Sequence, residues 1–152
     1  MPIRIIAVGR KHESWVGEGI VRYEKRLQRP FNTEWVLLPH SAREGSTARQ
    51  EESERVLSRV KPDDFVVLLD ERGKILDSST LSATLLARLE QSQNVVIVIG
   101  GAYGVDETVH VRADIVCSLS LLVFPHQLVR LILVEQLYRA QEIAAGRPYH
   151  HT

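Results

Sequence analysis

Residues 95–106 read VVIVIGGAYGVD, in which five valine and isoleucine residues lead directly into a glycine pair and then a helix start at Asp106. Such an unbroken β-branched run is typical of a parallel strand that helices cover on both faces. Similar apolar runs occupy residues 3–8, 33–38, 64–69 and 115–119. Because helical patterns separate these runs, we predict an α/β fold with a mostly parallel sheet, helices on both faces and right-handed crossovers.

Helical patterns follow each predicted strand. We predict helices from Ser14, over about residues 47–60, from Ser78 or Ser79 to about Glu90, over residues 106–112, and over residues 125–145 with Gly146 as the C-terminal cap. The polar segment DERGK at residues 70–74 predicts a turn that ends the third strand.

Composition and charge narrow the class of protein. The chain has 152 residues, of which 44% are hydrophobic and 25% charged, so we expect a single globular domain over residues 1–152. Its one cysteine, Cys117, excludes an internal disulfide and agrees with a reducing cytoplasm. No apolar run approaches the roughly 18 residues of a membrane span. Nineteen basic residues balance nineteen acidic ones, so a nucleic-acid partner would have to be recognised by a local patch.

Three loops are candidate ligand sites, because ligands of open α/β sheets bind beyond the carboxyl ends of the strands. They follow Leu69, Ile99 and Leu119. The pair Gly100-Gly101 allows close approach of a ligand to the backbone, although a tight turn without a ligand explains it equally well. The spacing G-x-G-x-x-G is absent and no Gly-Lys-Ser/Thr follows, so the glycine turn fits neither a dinucleotide site nor a phosphate loop.

The loop SLSLLVF at residues 118–124 is too apolar for an ordinary solvent loop. We expect it to be buried or to cover a ligand, and a purine-like ring would supply partners for its backbone groups.

The last helix and the tail carry the remaining candidates. The helix has apolar residues on more than one face, which favours burial against a second copy of the chain. Its charged residues Arg130, Glu135 and Arg139 are either functional or paired with one another. The tail RPYHH at residues 147–151 is either disordered or stiffened by Pro148 so that Tyr149 and His150 reach a site.

Several stretches together make the chain resemble a known family over its whole length. They are AVGR at 7–10, YEKRL at 23–27, LLDERGK at 68–74, VIGGAYG at 98–104, LSLLVFPHQLVRLILVEQLYRA at 119–140 and the tail RPYHH. The chain resembles the knotted SPOUT-class RNA methyltransferases. Within that class it is similar to the small ribosomal subfamily that methylates N3 of a pseudouridine in large-subunit (23S) ribosomal RNA.

The resemblance implies a deep trefoil knot at the C-terminal end of the sheet, an S-adenosylmethionine pocket in the knot, a homodimer and a cytoplasmic location. The family's cofactor contacts map onto Leu69, Gly100, Leu119, Ser120, Leu121, Leu122, Val123 and Phe124. No metal is expected.

For the chemistry we expect Arg130 to contact the nucleobase or a phosphate, and one of His126, Tyr149 and His150 to accept the proton of the base. The substrate would be the assembled ribosome, touched by a basic patch that comprises Arg22, Lys25, Arg26 and Arg29. The alternative is a ribosome-associated binding module that keeps the fold without transferring methyl groups. A nucleotide-binding oxidoreductase is disfavoured by the missing dinucleotide pattern.

Overall fold

A computed structural model describes residues 1–151, in which five parallel strands form one sheet. The strands are β1 (Ile3–Val8), β2 (Thr33–Leu38), β3 (Phe65–Ile75), β4 (Val95–Ile99) and β5 (Ile115–Ser118). Their order across the sheet is β2-β1-β4-β3-β5. The predicted parallel α/β fold is therefore confirmed. Thr152, the last residue of the predicted domain, lies outside the described residues.

Two helical layers cover the sheet. The helices are α1 (Ser14–Glu24), α2 (Gly45–Leu57), α3 (Ser78–Glu90), α4 (Glu107–Arg112) and α5 (His126–Ala144). Alternate residues of β4 point to opposite sides: Val95, Ile97 and Ile99 pack with α1, α3 and α5. Val96 and Val98 pack with α2 and α4 on the other face. Burial on both faces explains why this strand contains only valine and isoleucine.

Helix α5 packs against α1, α3 and the sheet within the same chain. This packing accounts for part of the apolar surface from which we inferred a second copy. The contact with α1 is especially close, because a methyl group added to Gly19 would lie 2.8 Å from Leu131 Cδ1. The apolar faces of α5 are thus weaker evidence for a dimer than the sequence suggested.

The prediction that the third strand ends at Leu69 is wrong. Strand β3 continues to Ile75, and both Leu69 and Lys74 pair with Cys117 of β5, so residues 70–73 bulge out of the ladder. Within the bulge the Arg72 N–H donates to Asp70 Oδ1 at 2.8 Å. This is an Asx turn, in the segment that the sequence predicted to be a turn. A methyl group on Gly73 would lie 2.7 Å from Cys117 N, so the close approach of the bulge to β5 requires glycine at this position.

In the part of the chain that the structure describes, no helix is both long and apolar enough to cross a membrane. The trefoil knot stays a prediction.

Candidate functional site

The bulge of β3 and the loops that follow β4 and β5 meet around a cavity of about 590 Å³, hereafter the main cavity. These three strands are neighbours in the sheet, so their carboxyl ends open to the same edge. The volume lies within the roughly 300–1,000 Å³ of small-molecule sites. Of the predicted cofactor residues, the lining includes Leu69, Gly100, Leu119, Ser120, Leu122, Val123 and Phe124. Leu121 does not line it and is 88% exposed.

A tight glycine turn forms one wall of the main cavity. The Gly104 N–H donates to Gly101 O at 3.0 Å, and Gly104 adopts a φ of 72°, a conformation that favours glycine. The turn ends at Asp106, whose side chain accepts from the Thr108 N–H at 3.0 Å and caps α4 as predicted. Residues 99–105 all line the cavity, and three of them are glycines without a side chain.

The apolar loop after β5 forms the opposite wall. Two serines shape it: Ser118 Oγ donates to Ser120 O at 2.7 Å, and Ser120 Oγ accepts from the Leu122 N–H at 3.0 Å. Leu122 and Val123 nevertheless remain largely exposed. A single chain thus leaves this loop uncovered, as expected of a surface that meets a ligand or a partner.

A second cavity of about 560 Å³ lies between α3 and α5. It shares Leu69, Ser118, Leu119, Ser120 and Phe124 with the main cavity but does not include Gly100. His150 and His151 of the tail also line it.

Charged residues that the sequence analysis missed form the rim of the main cavity. Asp70, Glu71 and Arg72 come from the bulge of β3, and Arg49 comes from α2. Burial raises the pKa of Asp70, but hydrogen bonds from Arg72 outweigh that effect and hold the pKa below its usual range. His110 Nε2 lies 3.2 Å from Asp70 Oδ2. The clue available in the sequence was the acid-x-arginine pattern directly after a buried strand.

His126, the first residue of α5, lines the main cavity. Its Nδ1 is buried and has no hydrogen-bond partner among the described residues. Burial and the nearby charge of Arg130 lower the pKa of His126 below its usual value of 6.5. The imidazole is therefore neutral at pH 7 and able to accept a proton.

Arg130 lies elsewhere than the sequence suggested: its side chain is fully buried and does not line either cavity. Nη2 donates to Val8 O at 3.0 Å and to Gly9 O at 3.2 Å, and Nη1 donates to Lys11 O at 3.3 Å. Nη1 also lies 3.2 Å from His12 Nδ1. The partners of Arg130 are thus groups at the end of β1 and in the loop that follows it, whereas the predicted alternative was an ion pair. Contact of Arg130 with RNA stays a prediction that requires the side chain to leave this position.

We expect Arg130→Met to lower the free energy of unfolding by about 2–4 kcal/mol, because the buried carbonyls of the β1 loop would lose their donors. Chemical denaturation monitored by circular dichroism measures the change. Arg22→Met, on the exposed side of α1, is the control and should change stability by less than about 0.5 kcal/mol. Equal stability of the two variants would contradict the structural role of Arg130.

Glu135 and Arg139 form the ion pair that the sequence allowed, with Arg139 Nη2 2.8 Å from Glu135 Oε2. The tail folds back onto this pair. Gly146 adopts a φ of 69°, and the Arg147 N–H donates to Glu142 O at 2.9 Å, so α5 ends in a Schellman motif. Tyr149 OH donates to Glu135 Oε2 at 3.0 Å, and Arg139 Nη1 lies 3.1 Å from His150 Nδ1. The tail therefore has defined contacts on its own α5.

One chain does not bring the four predicted catalytic residues together. Tyr149 contacts Glu135, which lies nine residues beyond His126, or roughly 13 Å along the helix axis. His150 lines the second cavity and His126 the main cavity. Burial and the hydrogen bond to Glu135 raise the pKa of Tyr149 to about 12. Tyr149 thus keeps its proton at neutral pH.

Within residues 1–151 no cluster of His, Cys, Asp and Glu is placed to bind a metal ion.

Comparisons with known proteins show which proteins the chain is similar to. A family model described as predicted SPOUT methyltransferase matches residues 1–150. A protein of Solidesulfovibrio magneticus named ribosomal RNA large subunit methyltransferase H is 41% identical and covers 99% of both chains. A protein of the same name from Pelotomaculum thermopropionicum is 43% identical over 98% of both.

A solved structure, the tRNA (m1G37) methyltransferase from Aquifex aeolicus, has a TM-score of 0.54 and 18% identity, and the match covers 100% of this chain and 76% of that one. At this identity the match supports the fold.

Proposed function

The chain belongs to the SPOUT methyltransferase family, and from this membership we propose that it transfers a methyl group from S-adenosylmethionine to N3 of a pseudouridine in large-subunit ribosomal RNA. The names of the relatives support the reaction and the RNA substrate. The observation that carries the proposal is the convergence of seven family cofactor positions around the main cavity.

The residues of the main cavity fit the proposed cofactor. The glycine turn gives a planar base access to backbone, and the loop after β5 offers backbone N–H and C=O groups beside apolar side chains. Such a mixture suits a purine ring, whose faces are apolar and whose edge forms hydrogen bonds. When bound, S-adenosylmethionine supplies a methyl group on a positively charged sulfur. The task of the protein is then to align the base and to remove its N3 proton.

His126 is the best placed proton acceptor that one chain offers, because it lines the main cavity and its lowered pKa keeps it neutral at pH 7. His150 is the second candidate. Tyr149 is better suited to donate a hydrogen bond or to stack on the base, since its raised pKa of about 12 keeps the hydroxyl protonated.

We further propose that a homodimer completes the site. Tyr149 and His150 lie away from the main cavity of their own chain, so a second copy would have to present them to it. Exposed apolar side chains support such an interface: Leu121, Leu122 and Val123 beside the cavity, and Trp15 and Val21 on α1.

The proposed substrate is the assembled ribosome in the cytoplasm. All four residues of the basic patch, Arg22, Lys25, Arg26 and Arg29, are exposed near the end of α1, where they could contact phosphates. The neutral net charge of the chain agrees with recognition of a shaped particle rather than of free RNA.

The test uses ribosomes from cells that lack this gene, incubated with the purified chain and S-adenosylmethionine. We expect mass spectrometry to find one added methyl group on one nucleotide of large-subunit RNA, and far less on protein-free RNA. The same nucleotide should lack its methyl group in the deletion cells and carry it in the parent cells. Absence of methylation together with absence of cofactor binding by calorimetry would favour the non-catalytic binding module.

A further inference from the structure

Helix α2 holds the glycine turn through a polar face. Ser53 Oγ accepts from the Asp106 N–H at 2.9 Å, and Arg49 Nε donates to Tyr103 O at 3.0 Å. Between these contacts, a methyl group built on Gly101 would lie 3.2 Å from Glu52 Oε1. Positions 49, 52 and 53 share one side of a helix. Helix α2 thus places a carboxylate directly behind the turn that forms a wall of the main cavity.

The Glu52 carboxylate is unusual because it is buried without a cationic partner of fixed charge. The residue is 2% exposed. Oε2 accepts from the Ser41 N–H at 2.9 Å and lies 4.0 Å from His40 Nδ1, while Oε1 has no hydrogen-bond partner among the described residues. In residues 1–151 no lysine or arginine nitrogen lies within 4 Å of this carboxylate. Buried carboxylates are normally paired, so the free oxygen calls for an explanation.

We propose that Glu52 supplies a negative charge behind Gly101 that makes the main cavity select a cationic cofactor over its neutral product. This inference rests on the proposed function. Gly101 has no side chain, so only its backbone separates the carboxylate from the cavity wall. A charge in such a poorly solvated place acts more strongly than one in water.

The other charged groups around the cavity act at different places from Glu52. On the rim, Arg72 Nε pairs with Asp70 Oδ1 at 3.1 Å, so these two largely cancel. The guanidinium of Arg130 is buried against Gly9 and its charge acts on His126, whereas Glu52 is buried against Gly101, a different part of the cavity lining. Arg49 also lines the cavity and is half-buried with its Nε on Tyr103 O, so its positive charge offsets part of the effect of Glu52. Glu71 on the rim is exposed, and solvent screens its charge.

Methyl transfer changes the charge of the cofactor, so a charged group near the cavity can distinguish the methyl donor from the product. S-adenosylmethionine carries a positive sulfonium, and loss of its methyl group leaves the neutral thioether of S-adenosylhomocysteine. A negative charge behind the wall therefore stabilises the bound methyl donor more than the bound product. Specificity is the difference between the two affinities, so Glu52 would favour exchange of product for fresh cofactor.

The test measures binding by titration calorimetry for the wild type, Glu52→Gln and the control Glu54→Gln, which removes an exposed carboxylate from the same helix. The ligands are S-adenosylmethionine, S-adenosylhomocysteine and sinefungin, which carries an ammonium group in place of the sulfonium. We expect Glu52→Gln to weaken both cationic ligands about tenfold and the neutral product less than about twofold, because only a charge is removed. Glu54→Gln should leave all three affinities unchanged.

Three outcomes overturn the inference. Equal weakening of all three ligands would reduce Glu52 to a structural support of the turn, and unchanged affinities would mean that no field reaches the cavity. Should Glu52→Gln not fold, the wild type decides, since it must bind sinefungin more tightly than S-adenosylhomocysteine, and the reverse order refutes the proposal. If the wild type binds none of the three ligands, the proposed function itself fails, which is a separate result.

Discussion

Gly100→Val is expected to weaken the binding of S-adenosylmethionine at least about a hundredfold, equivalent to roughly 2.7 kcal/mol, while the sheet stays folded. A methyl group on Gly100 would lie 3.2 Å from Gly104 C and 3.3 Å from Val105 Cγ1. These distances are already tight, so the larger valine must push the glycine turn out of shape. Because the turn backbone lines the main cavity, the cofactor would lose its wall. Calorimetry measures the affinity, and thermal unfolding checks the fold.

Alanine substitutions provide the matched comparison. Gly100→Ala should weaken binding to an intermediate degree, whereas Gly17→Ala should bind normally, because a methyl group at Gly17 meets His12 Cβ at an ordinary 3.7 Å. A folded Gly100→Val variant with unchanged affinity would contradict the assignment. It would move the cofactor to the second cavity, which shares Leu69 and Phe124 with the main cavity but lacks Gly100.

The strands at residues 3–8, 33–38 and 95–99 agree with the sequence prediction at both ends. Their boundaries were predictable because burial on one or both sheet faces favours runs of apolar residues, which glycine or proline ends at residues 9, 39 and 100. The location of the site was predictable for a related reason, since the carboxyl ends of neighbouring parallel strands gather their loops at one edge.

Two features that the sequence did not predict, the buried position of Arg130 and the continuation of β3, depend on long-range contacts. The carbonyl groups that bind Arg130 belong to Val8, Gly9 and Lys11, more than a hundred positions away in the chain. The continuation of β3 beyond Leu69 depends on the pairing of Lys74 with Cys117. Both features arise from tertiary contacts, which local propensity does not encode.

Glu52 was missed for a different reason. Helix α2 is rich in charge, and a charged segment normally indicates a solvated face. Here the helix packs with its polar residues towards the glycine turn, so Glu52 and Ser53 are buried while Glu54 is exposed. A buried acid within a polar helix has no local sequence signature that separates it from its neighbours.

Deletion of residues 147–152 is expected to reduce methylation of ribosomes at least about a hundredfold, because it removes Tyr149 and His150, which would hold the base and assist its deprotonation. Cofactor affinity should change less than about threefold, since none of the described residues 147–151 lines the main cavity. Light scattering should still detect a dimer. The loss of the Arg147–Glu142 ion pair and of the hydrogen bond from Tyr149 to Glu135 should cost about 1–2 kcal/mol of stability.

The control is a chain that ends at His150, which keeps both candidate side chains and should methylate at nearly the wild-type rate. Mixing the deletion variant with a chain that carries Gly100→Val then tests whether the tail acts on the partner. In a mixed dimer, only the deletion subunit binds cofactor and only the Gly100→Val subunit has a tail, so activity should return if the site is shared between subunits. Full activity of the deletion variant alone would instead assign proton removal to His126. The tail would then have no catalytic role and would only pack against α5.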